Sequence, residues 1–432
     1  MAPAPELPPE LPPKLSGGTP LQQRTDPAVP SLIPAAGRDG LTEQISENLS
    51  VEFFPGVAAV PEAEWTRLFP QDAEGHAYYT AVEGAPPPGF RFEAIAVRRK
   101  GQIIAAAPVF HVTYRLDTPL QGRWRPLGDW LFRRVPRLVS LPVMGLGSPV
   151  ADRCHLGFDA TLTASERAAA LACLLAGLDR KAAAEKIPLL AIKDLADREL
   201  GALQPVLAAG GFSRIASLPV CVLELPFKTE AEYVQSLSAN NRSTLRRKLK
   251  AAPKVELETV RSIAGLEQQL FELYEETRKN SRFDYGDFEQ LSPDYFRRVM
   301  EGLGPKAACI LCRVDGQLLA FKLMFIEDDR IIDKFWGMRY PVGRDYNLFF
   351  LAWMEGVRFA LAHGAKRFQS GQTAYAQKVK LGSGLDKLWV YFRHRGRITN
   401  RIFRTFAPLI AFDKMDPELN EIRKREHEKA QA

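Results

Sequence analysis

Two stretches of this chain share one pattern, and the repetition limits the folds it can adopt. RRKGQIIAAAPVF, starting at Arg98, and RVDGQLLAFKLMF, starting at Arg313, each join two apolar runs through a charged residue and a glycine. Such dipeptides are typical of tight turns between antiparallel strands. Helices, a further strand, a long helix and more strands surround both hairpins in one order. We therefore predict an internal duplication, with chance similarity between two hairpins as the alternative.

The chain is long enough, at 432 residues, for two or more domains. Residues 1–47 are rich in proline and lack periodic apolar positions, which predicts a disordered tail. The repeated pattern predicts an N-terminal domain over 48–225 and a C-terminal domain over 226–395. The pattern of residues 396–432 predicts a basic, charged helical tail. The first part of this tail could contact a membrane surface. Pro408 interrupts that part and favours packing onto the domain instead.

Positive charge is concentrated in two clusters. The net charge is +7, and basic residues gather between Arg242 and Lys254 and between Arg393 and Arg404. Such clusters favour an anionic ligand, for example a phosphate, a tRNA or a lipid headgroup, and solubility alone is the alternative. No aromatic residues are interleaved with the first cluster, which argues against sequence-specific reading of RNA.

The five cysteines indicate a reducing compartment. They are odd in number and scattered, and no secretory signal precedes them, so we expect a cytoplasmic protein without a disulfide framework. Cys309 and Cys312 fall in the apolar run AACILC, which predicts a buried strand rather than a zinc or redox site. The histidines are dispersed, and we expect no metal site. No apolar run reaches the roughly 18 residues of a transmembrane helix.

A polar segment from Ser370 to Gly382, SGQTAYAQKVKLG, follows the strand predicted for KRFQS. A core helix would not concentrate hydroxyls, amides and lysines in this way, so we predict a ligand site. Gly371 would let a ligand carbonyl approach closely. Tyr375 could donate a proton to a leaving group, and Lys378 could orient a polar or anionic group. A polar loop closed by a short helix is the alternative. The other candidate binding residues of this segment are Gln372, Thr373 and Lys380.

The segment NNRSTLRRKLK predicts a helix with Arg242, Arg246 and Lys250 along one face. Asn241 adds a donor group near the helix start, where anions are favoured. We therefore assign Asn241, Arg242, Arg246 and Lys248 to the anionic part of a donor, with a solvated helix face as the alternative.

The segment RIIDKFWGM predicts a strand in which Asp333 and Lys334 stand among large apolar residues. A charge in such a strand is costly unless it is paired or functional. Asp333 is therefore a candidate base, and a strand near the sheet edge with exposed charges is the alternative. Asp345, after the turn in RYPVGRDYN, is a candidate N-cap of the apolar helix that follows.

Four segments of the second half resemble the GNAT-superfamily N-acyltransferases of the Fem-like type, in which two GNAT-like domains stand in tandem. They are NNRSTLRRKLK, DGQLLAFKLMF, DKFWG and SGQTAYAQKVKLG. The last, of the form GQTxYxxKxxLG, is the most specific, and the resemblance covers residues 50–395. It implies an α/β (α+β) fold with two tandem GNAT-like domains, each a mixed twisted sheet flanked by helices.

The resemblance also implies transfer of an acyl group to an amine acceptor from acyl-CoA or acyl-carrier protein. Acyl-CoA would be a co-substrate, and no cofactor would stay bound. An aminoacyl-tRNA-dependent Fem-like transferase and a non-catalytic GNAT-fold binding protein are the alternatives. The pyrophosphate-binding pattern Q/RxxGxG/A of simple GNAT enzymes is missing, and YPVGRDYN stands in its place, which leaves the donor open. On this interpretation Tyr375, Lys378 and Asp333 are catalytic, and the site lies mainly in the second half.

Overall fold

The structure is a computed structural model that describes residues 49–115, 130, 133–134, 140–281, 286–407 and 411–431. The predicted Pro-rich tail, residues 1–47, lies outside the described residues. No helix in the described ranges is both long enough and apolar enough to cross a bilayer.

The strands of the described residues are β1 (Leu49–Phe54), β2 (Arg91–Arg99), β3 (Gln102–Arg115), β4 (Ser140–Leu146), β5 (Gly157–Phe158), β6 (Leu189–Ala196), β7 (Ser213–Ala216), β8 (Val220–Glu224), β9 (Glu256–Val260), β10 (Ala307–Val314), β11 (Gln317–Ile326), β12 (Arg330–Met338), β13 (Arg367–Ser370), β14 (Gly384–Asp386) and β15 (Leu388–His394). The α-helices of the same residues are α1 (Glu62–Leu68), α2 (His76–Glu83), α3 (Ala164–Ala184), α4 (Leu203–Ala209), α5 (Glu230–Ser236), α6 (Ala239–Lys248), α7 (Glu267–Lys279), α8 (Tyr295–Leu303), α9 (Val342–Asp345), α10 (Leu348–Ala362), α11 (Tyr375–Lys380), α12 (Arg397–Phe406), α13 (Phe412–Met415) and α14 (Pro417–Gln431).

The strands form two sheets with the same topology. The first runs β1-β2-β3-β4-β6-β15-β7, with β5 attached to β3, and the second runs β9-β10-β11-β12-β13-β8-β14. In each sheet the fourth and fifth strands are parallel, β4 with β6 and β12 with β13, and the other neighbours along the path are antiparallel. The predicted architecture of two mixed sheets flanked by helices is therefore confirmed.

The two hairpins that predicted the duplication occupy equivalent places, β2–β3 and β10–β11. Both turns have positive φ at their two central residues, 51° and 83° at Lys100 and Gly101 and 49° and 77° at Asp315 and Gly316. Each hairpin also has a register shift after the turn, which leaves Ile104 and Leu319 without opposite partners. Because both residues lie three positions after the turn glycine, the duplication extends to the position of the β-bulge.

Two strands pair with the sheet that lies on the other side of the predicted boundary between residues 225 and 226. Strand β8 precedes the boundary but pairs with β13 in the second sheet, and β15 follows β14 but pairs with β6 in the first sheet. Each sheet thus takes its sixth strand from the other side of the boundary. Local patterning predicts these strands but cannot assign them to a sheet, because register with a distant strand decides it.

The two halves also share a hydrophobic core. One buried cluster contains Phe110 of the first sheet and Phe321 of the second, together with residues of α2 and α8. Within it the hydroxyls of Tyr78 and Tyr295 lie 2.9 Å apart, and Tyr78 donates to the Val150 carbonyl at 2.7 Å. All five cysteines are free and buried, and Cys309 and Cys312 lie in β10 as predicted.

A buried ion network joins the halves at the middle of the second sheet. The Nζ of Lys334 lies 2.6 Å from Glu74 Oε1 and 3.2 Å from Asp152 Oδ1, and Gln369 donates to Asp152 at 3.1 Å. The alternative of an edge strand with exposed charges is therefore wrong, because β12 is the fourth of seven strands. Lys334 is tolerated there because two carboxylates of the other half face it.

His155 lies beside this network as a neutral side chain. It is 3% exposed, and its Nδ1 is 2.6 Å from the Tyr79 hydroxyl. Burial lowers the pKa of His155 to about 3, and the nearby Arg153 adds to the effect although Asp72 opposes it. The ring therefore stays uncharged in the fold over a pH range where an exposed histidine binds a proton.

This difference predicts acid sensitivity. Below pH 6.5 the unfolded chain binds a proton at His155 and the folded chain does not, so the free energy of unfolding should fall by up to about 1.4 kcal/mol per pH unit. The measurement is urea unfolding at a series of pH values for the wild type and His155→Gln. We expect the wild type to lose more stability than the variant as the pH falls below 6.5, and parallel curves would contradict the assignment.

Candidate active site

The two parallel strands of the second sheet separate at Asp333 and Ser370. They are paired from Arg330 opposite Arg367 to Asp333 opposite Ser370, where β13 ends. Strand β12 continues past this point, and a register shift against β11 leaves Lys334 as a bulge. We call this point the fork. Beyond the fork β12 has no ladder partner in β13, and strand N–H and C=O groups without a ladder bond are where an extended ligand can pair.

Gly371 leaves the fork open on one side. It follows Ser370 directly, and no heavy atom lies within 4 Å of the place where its Cβ would be. The close approach of a ligand group to this glycine remains a prediction, and it would use that space.

A buried ion pair lies beside the fork. Lys322 of β11 contacts Asp333 through a hydrogen-bonded ion pair, and the two side chains are 1% and 7% exposed. The ammonium also lies 5.6 to 5.8 Å from the ring centres of Trp336, Trp353 and Phe368. Burial lowers the pKa of Lys322, although Asp333 opposes the shift and the charge of Lys378 adds to it.

Sequence reasoning did not single out Lys322. The available signal was a lysine in the centre of the apolar strand QLLAFKLMFI, where a charge is as costly as it is at Asp333. Its pairing with Asp333 gives that carboxylate a fixed position, and the structure therefore keeps Asp333 as a candidate group at the fork.

Lys378 reaches the fork from α11. It is 6% exposed, and its Nζ donates to the carbonyls of Ser370 at 3.1 Å and Gly371 at 3.4 Å. The hydroxyl of Ser370 is fully buried and has no hydrogen-bond partner among the described residues. A cation and a hydroxyl thus lie at the end of β13.

Other polar groups of the 370–382 segment bind the chain itself. The hydroxyl of Tyr375 is buried and donates to the Pro219 carbonyl at 3.0 Å, and Gln372 donates to the Leu218 carbonyl at 2.9 Å. These contacts fit the polar loop closed by a short helix. Thr373, by contrast, is exposed. The catalytic role of Tyr375 remains a prediction. In the structure its hydroxyl donates to a backbone carbonyl.

A cavity of about 460 Å³ lies next to the fork, and it brings together two of the predicted binding residues, Asn241 and Lys380. It is formed by α5, α6, α11 and strands β8 and β14. Glu224 and Asp386 also line it, so its charges are mixed. Val379 lines it as well, and this residue directly follows Lys378, so the cavity and the fork share helix α11.

The basic residues of α6 are divided between structural contacts and solvent. The guanidinium of Arg242 donates to the carbonyls of Gln235 at 2.8 Å and Leu237 at 2.9 Å, so it fastens α6 to the end of α5. Arg246 is exposed, and the Nζ of Lys248 lies 5.6 Å from the ring centre of Phe350. None of the three lines the cavity. In this conformation these three residues can contact a donor only at the protein surface, outside the cavity.

Asp345 is not the N-cap of the apolar helix α10. It is the last residue of the short helix α9, and Asn347, with φ of 54°, is the N-cap. The prediction failed because asparagine tolerates the left-handed conformation that this junction requires, whereas the preference for aspartate applies to extended caps.

A second cavity, of about 540 Å³, lies in the first half next to the end of strand β6. Arg153, Arg167 and Arg198 line it, and Arg153 is paired with Asp72 and with Glu199. Sequence reasoning missed this cavity because its cations are dispersed along the chain instead of forming a cluster.

The chain and its structure resemble known proteins. The FemAB-like family, described as peptidoglycan biosynthesis/recognition, matches residues 166–406. The structure is similar to that of FemX, with a TM-score of 0.50 and 14% identity over 75% of this chain and 97% of that one. A tandem GNAT protein from the clavulanic acid biosynthesis pathway gives a TM-score of 0.47 and 13% identity over 80% of this chain and 99% of that one. No curated protein matches the sequence.

Proposed function

Because this chain belongs to the FemAB-like family, we propose that it is an N-acyltransferase that moves an acyl group from an activated donor to an amine. The observation that carries the proposal is the fork, where Asp333, Ser370 and Lys378 meet at the point where two parallel strands part. An acyl chain entering there can pair with strand backbone, which holds its carbonyl in a fixed place.

The reaction requires a neutral amine, a polarised carbonyl and a proton for the leaving group. The amine nitrogen forms a bond to the acyl carbon, and the bond from that carbon to the donor sulfur or oxygen breaks. Asp333 would accept the proton released by the amine, held in position by Lys322. Lys378 would stabilise the negative charge that develops on the carbonyl oxygen. The leaving group takes up a proton, for which Tyr375 is the candidate donor.

The cavity beside the fork would hold the substrate part that does not react. Asn241 and Lys380 supply donors there, and Gln372 and Thr373 lie on the connecting loop. Acyl-CoA or acyl-carrier protein is the proposed donor class, since the exposed cations of α6 can meet its phosphate groups.

One observation favours an aminoacyl-tRNA as the alternative donor. The sequence places no aromatics within the basic run of α6, but the fold places the ring of Phe350, from α10, beside Lys248. A cationic helix next to aromatic rings is a pattern that binds single-stranded nucleic acid.

The test is transfer by the purified full-length protein from labelled acetyl-CoA, longer acyl-CoAs, acyl-carrier protein and charged tRNA to amines of a bacterial extract. We expect one donor class to label an amine product, and steep loss of activity with salt would identify the tRNA. If no donor supports transfer while an anionic polymer binds, the protein is a non-catalytic binding protein and the proposal fails.

The variant Gly371→Val tests whether transfer takes place at the fork or in the first-half cavity. An added Cβ meets no heavy atom within 4 Å, so we expect the fold to keep its stability, while kcat/KM should fall about 10²-fold because the acyl group is displaced. Gly201→Val is the matched control, since Gly201 lines the first-half cavity and is equally open. Loss of transfer in the control and not in Gly371→Val would move the chemistry to the first half.

A further inference from the structure

Helix α12 exposes a line of large apolar side chains. Ile398, Ile402 and Phe406 are 80%, 49% and 59% exposed, and their spacing of four residues puts them on one face. Only one other large apolar side chain, Trp130, is exposed among the residues that the structure describes. The concentration on a single helix distinguishes this face from the scattered apolar groups of an ordinary surface.

The opposite face of α12 holds the helix on the protein. Asn400 donates to the Gly211 carbonyl at 3.3 Å and accepts from the His394 amide at 2.9 Å. The ring of Phe403 packs edge-on against His394, with 5.5 Å between the ring centres. The prediction that this segment packs onto the domain therefore holds for one face, and the contacts point the apolar line outward.

Exposed cations lie on the polar side of α12. Arg397, Arg401 and Arg404 are all exposed, and none has an ion-pair partner within the described part of the chain. No acidic residue occurs between positions 393 and 407. A helix with exposed apolar residues on one face and arginines on its polar side has the pattern of a segment that lies in a membrane interface.

We propose that α12 binds the surface of an anionic lipid bilayer. Ile398, Ile402 and Phe406 enter the boundary between headgroups and acyl chains, and the arginines contact lipid phosphates. Charge complementarity favours this occupant over a second copy of the chain, because two copies of α12 face to face would bring like charges together. The proposal goes beyond the proposed function and does not depend on it.

The test is co-sedimentation of the full-length protein with vesicles of phosphatidylcholine alone and of phosphatidylcholine mixed with phosphatidylglycerol. We expect binding to the mixed vesicles that weakens as salt is added. Arg397→Gln with Arg401→Gln should weaken it roughly 30-fold, since each cation near an anionic surface contributes about fivefold. Ile398→Ser with Ile402→Ser should weaken binding at least about tenfold.

The matched control is Lys228→Gln with Lys306→Gln, which removes two exposed cations that lie outside both basic clusters. Binding should be retained in the control, and all variants should keep the wild-type circular dichroism spectrum. The proposal is overturned if the wild type does not bind mixed vesicles, or if the control weakens binding as much as the α12 variants. It is also overturned if sedimentation velocity shows a dimer that the isoleucine variants dissociate.

Discussion

Replacing Lys334 with methionine should lower the free energy of unfolding by about 3–5 kcal/mol. The substitution keeps most of the length of the side chain but leaves Glu74 and Asp152 buried without their shared cation. The pKa of Asp152 is held low, because Lys334 and Gln369 together outweigh the effect of burial, which alone would raise it. A carboxylate in that position depends on the lysine. Urea unfolding at neutral pH measures the loss.

Lys306→Met is the matched control, because Lys306 is exposed, and it should change the free energy of unfolding by less than about 0.5 kcal/mol. Adding Glu74→Gln to Lys334→Met should recover part of the lost stability, since one uncompensated charge is removed. A loss of less than about 1 kcal/mol in Lys334→Met would mean that the network does not hold the two halves together.

Replacing Lys378 with methionine should lower kcat about 10²- to 10³-fold, the usual effect of removing one group that stabilises the charge of the transition state. The side chain is buried at the fork and contacts two carbonyls at the end of β13. The measurement is steady-state transfer with the donor class identified above, at a temperature where circular dichroism shows the variant folded.

Lys380→Met is the companion variant, two residues further along α11 and in the adjacent cavity. It should raise KM and leave kcat nearly unchanged, because a contact outside the reacting centre contributes equally to ground state and transition state. If the two variants show the same change in KM and no change in kcat, Lys378 binds substrate and has no part in the chemistry.

The hairpins could be predicted from the sequence because their information is local. A charged residue followed by glycine adopts the two positive φ angles of a tight turn, and both turns have them. The exchange of β8 and β15 between the sheets could not be predicted, since an apolar strand of five to seven residues fits either sheet. Register with a distant partner, which the local pattern does not contain, decides it.

The candidate site could be predicted only in part, and the reason is similar. Asn241 and Lys380 were chosen from separate segments, and the fold brings both to one cavity. Tyr375 was chosen because its hydroxyl could donate a proton to a leaving group, and in the fold that hydroxyl is buried and donates to a backbone carbonyl. Lys322 was missed because only the contact with Asp333 explains a lysine there. A polar residue in an apolar segment indicates that its burial costs free energy. Only the tertiary contacts show which partner offsets that cost.

The most direct test of the account is a crystal structure with an unreactive analogue of the donor class that supports transfer. We expect the acyl carbonyl to lie at the fork beside Gly371, with its oxygen about 3 Å from the Lys378 ammonium. An acyl group bound instead in the first-half cavity, among Arg153, Arg167 and Arg198, would contradict it.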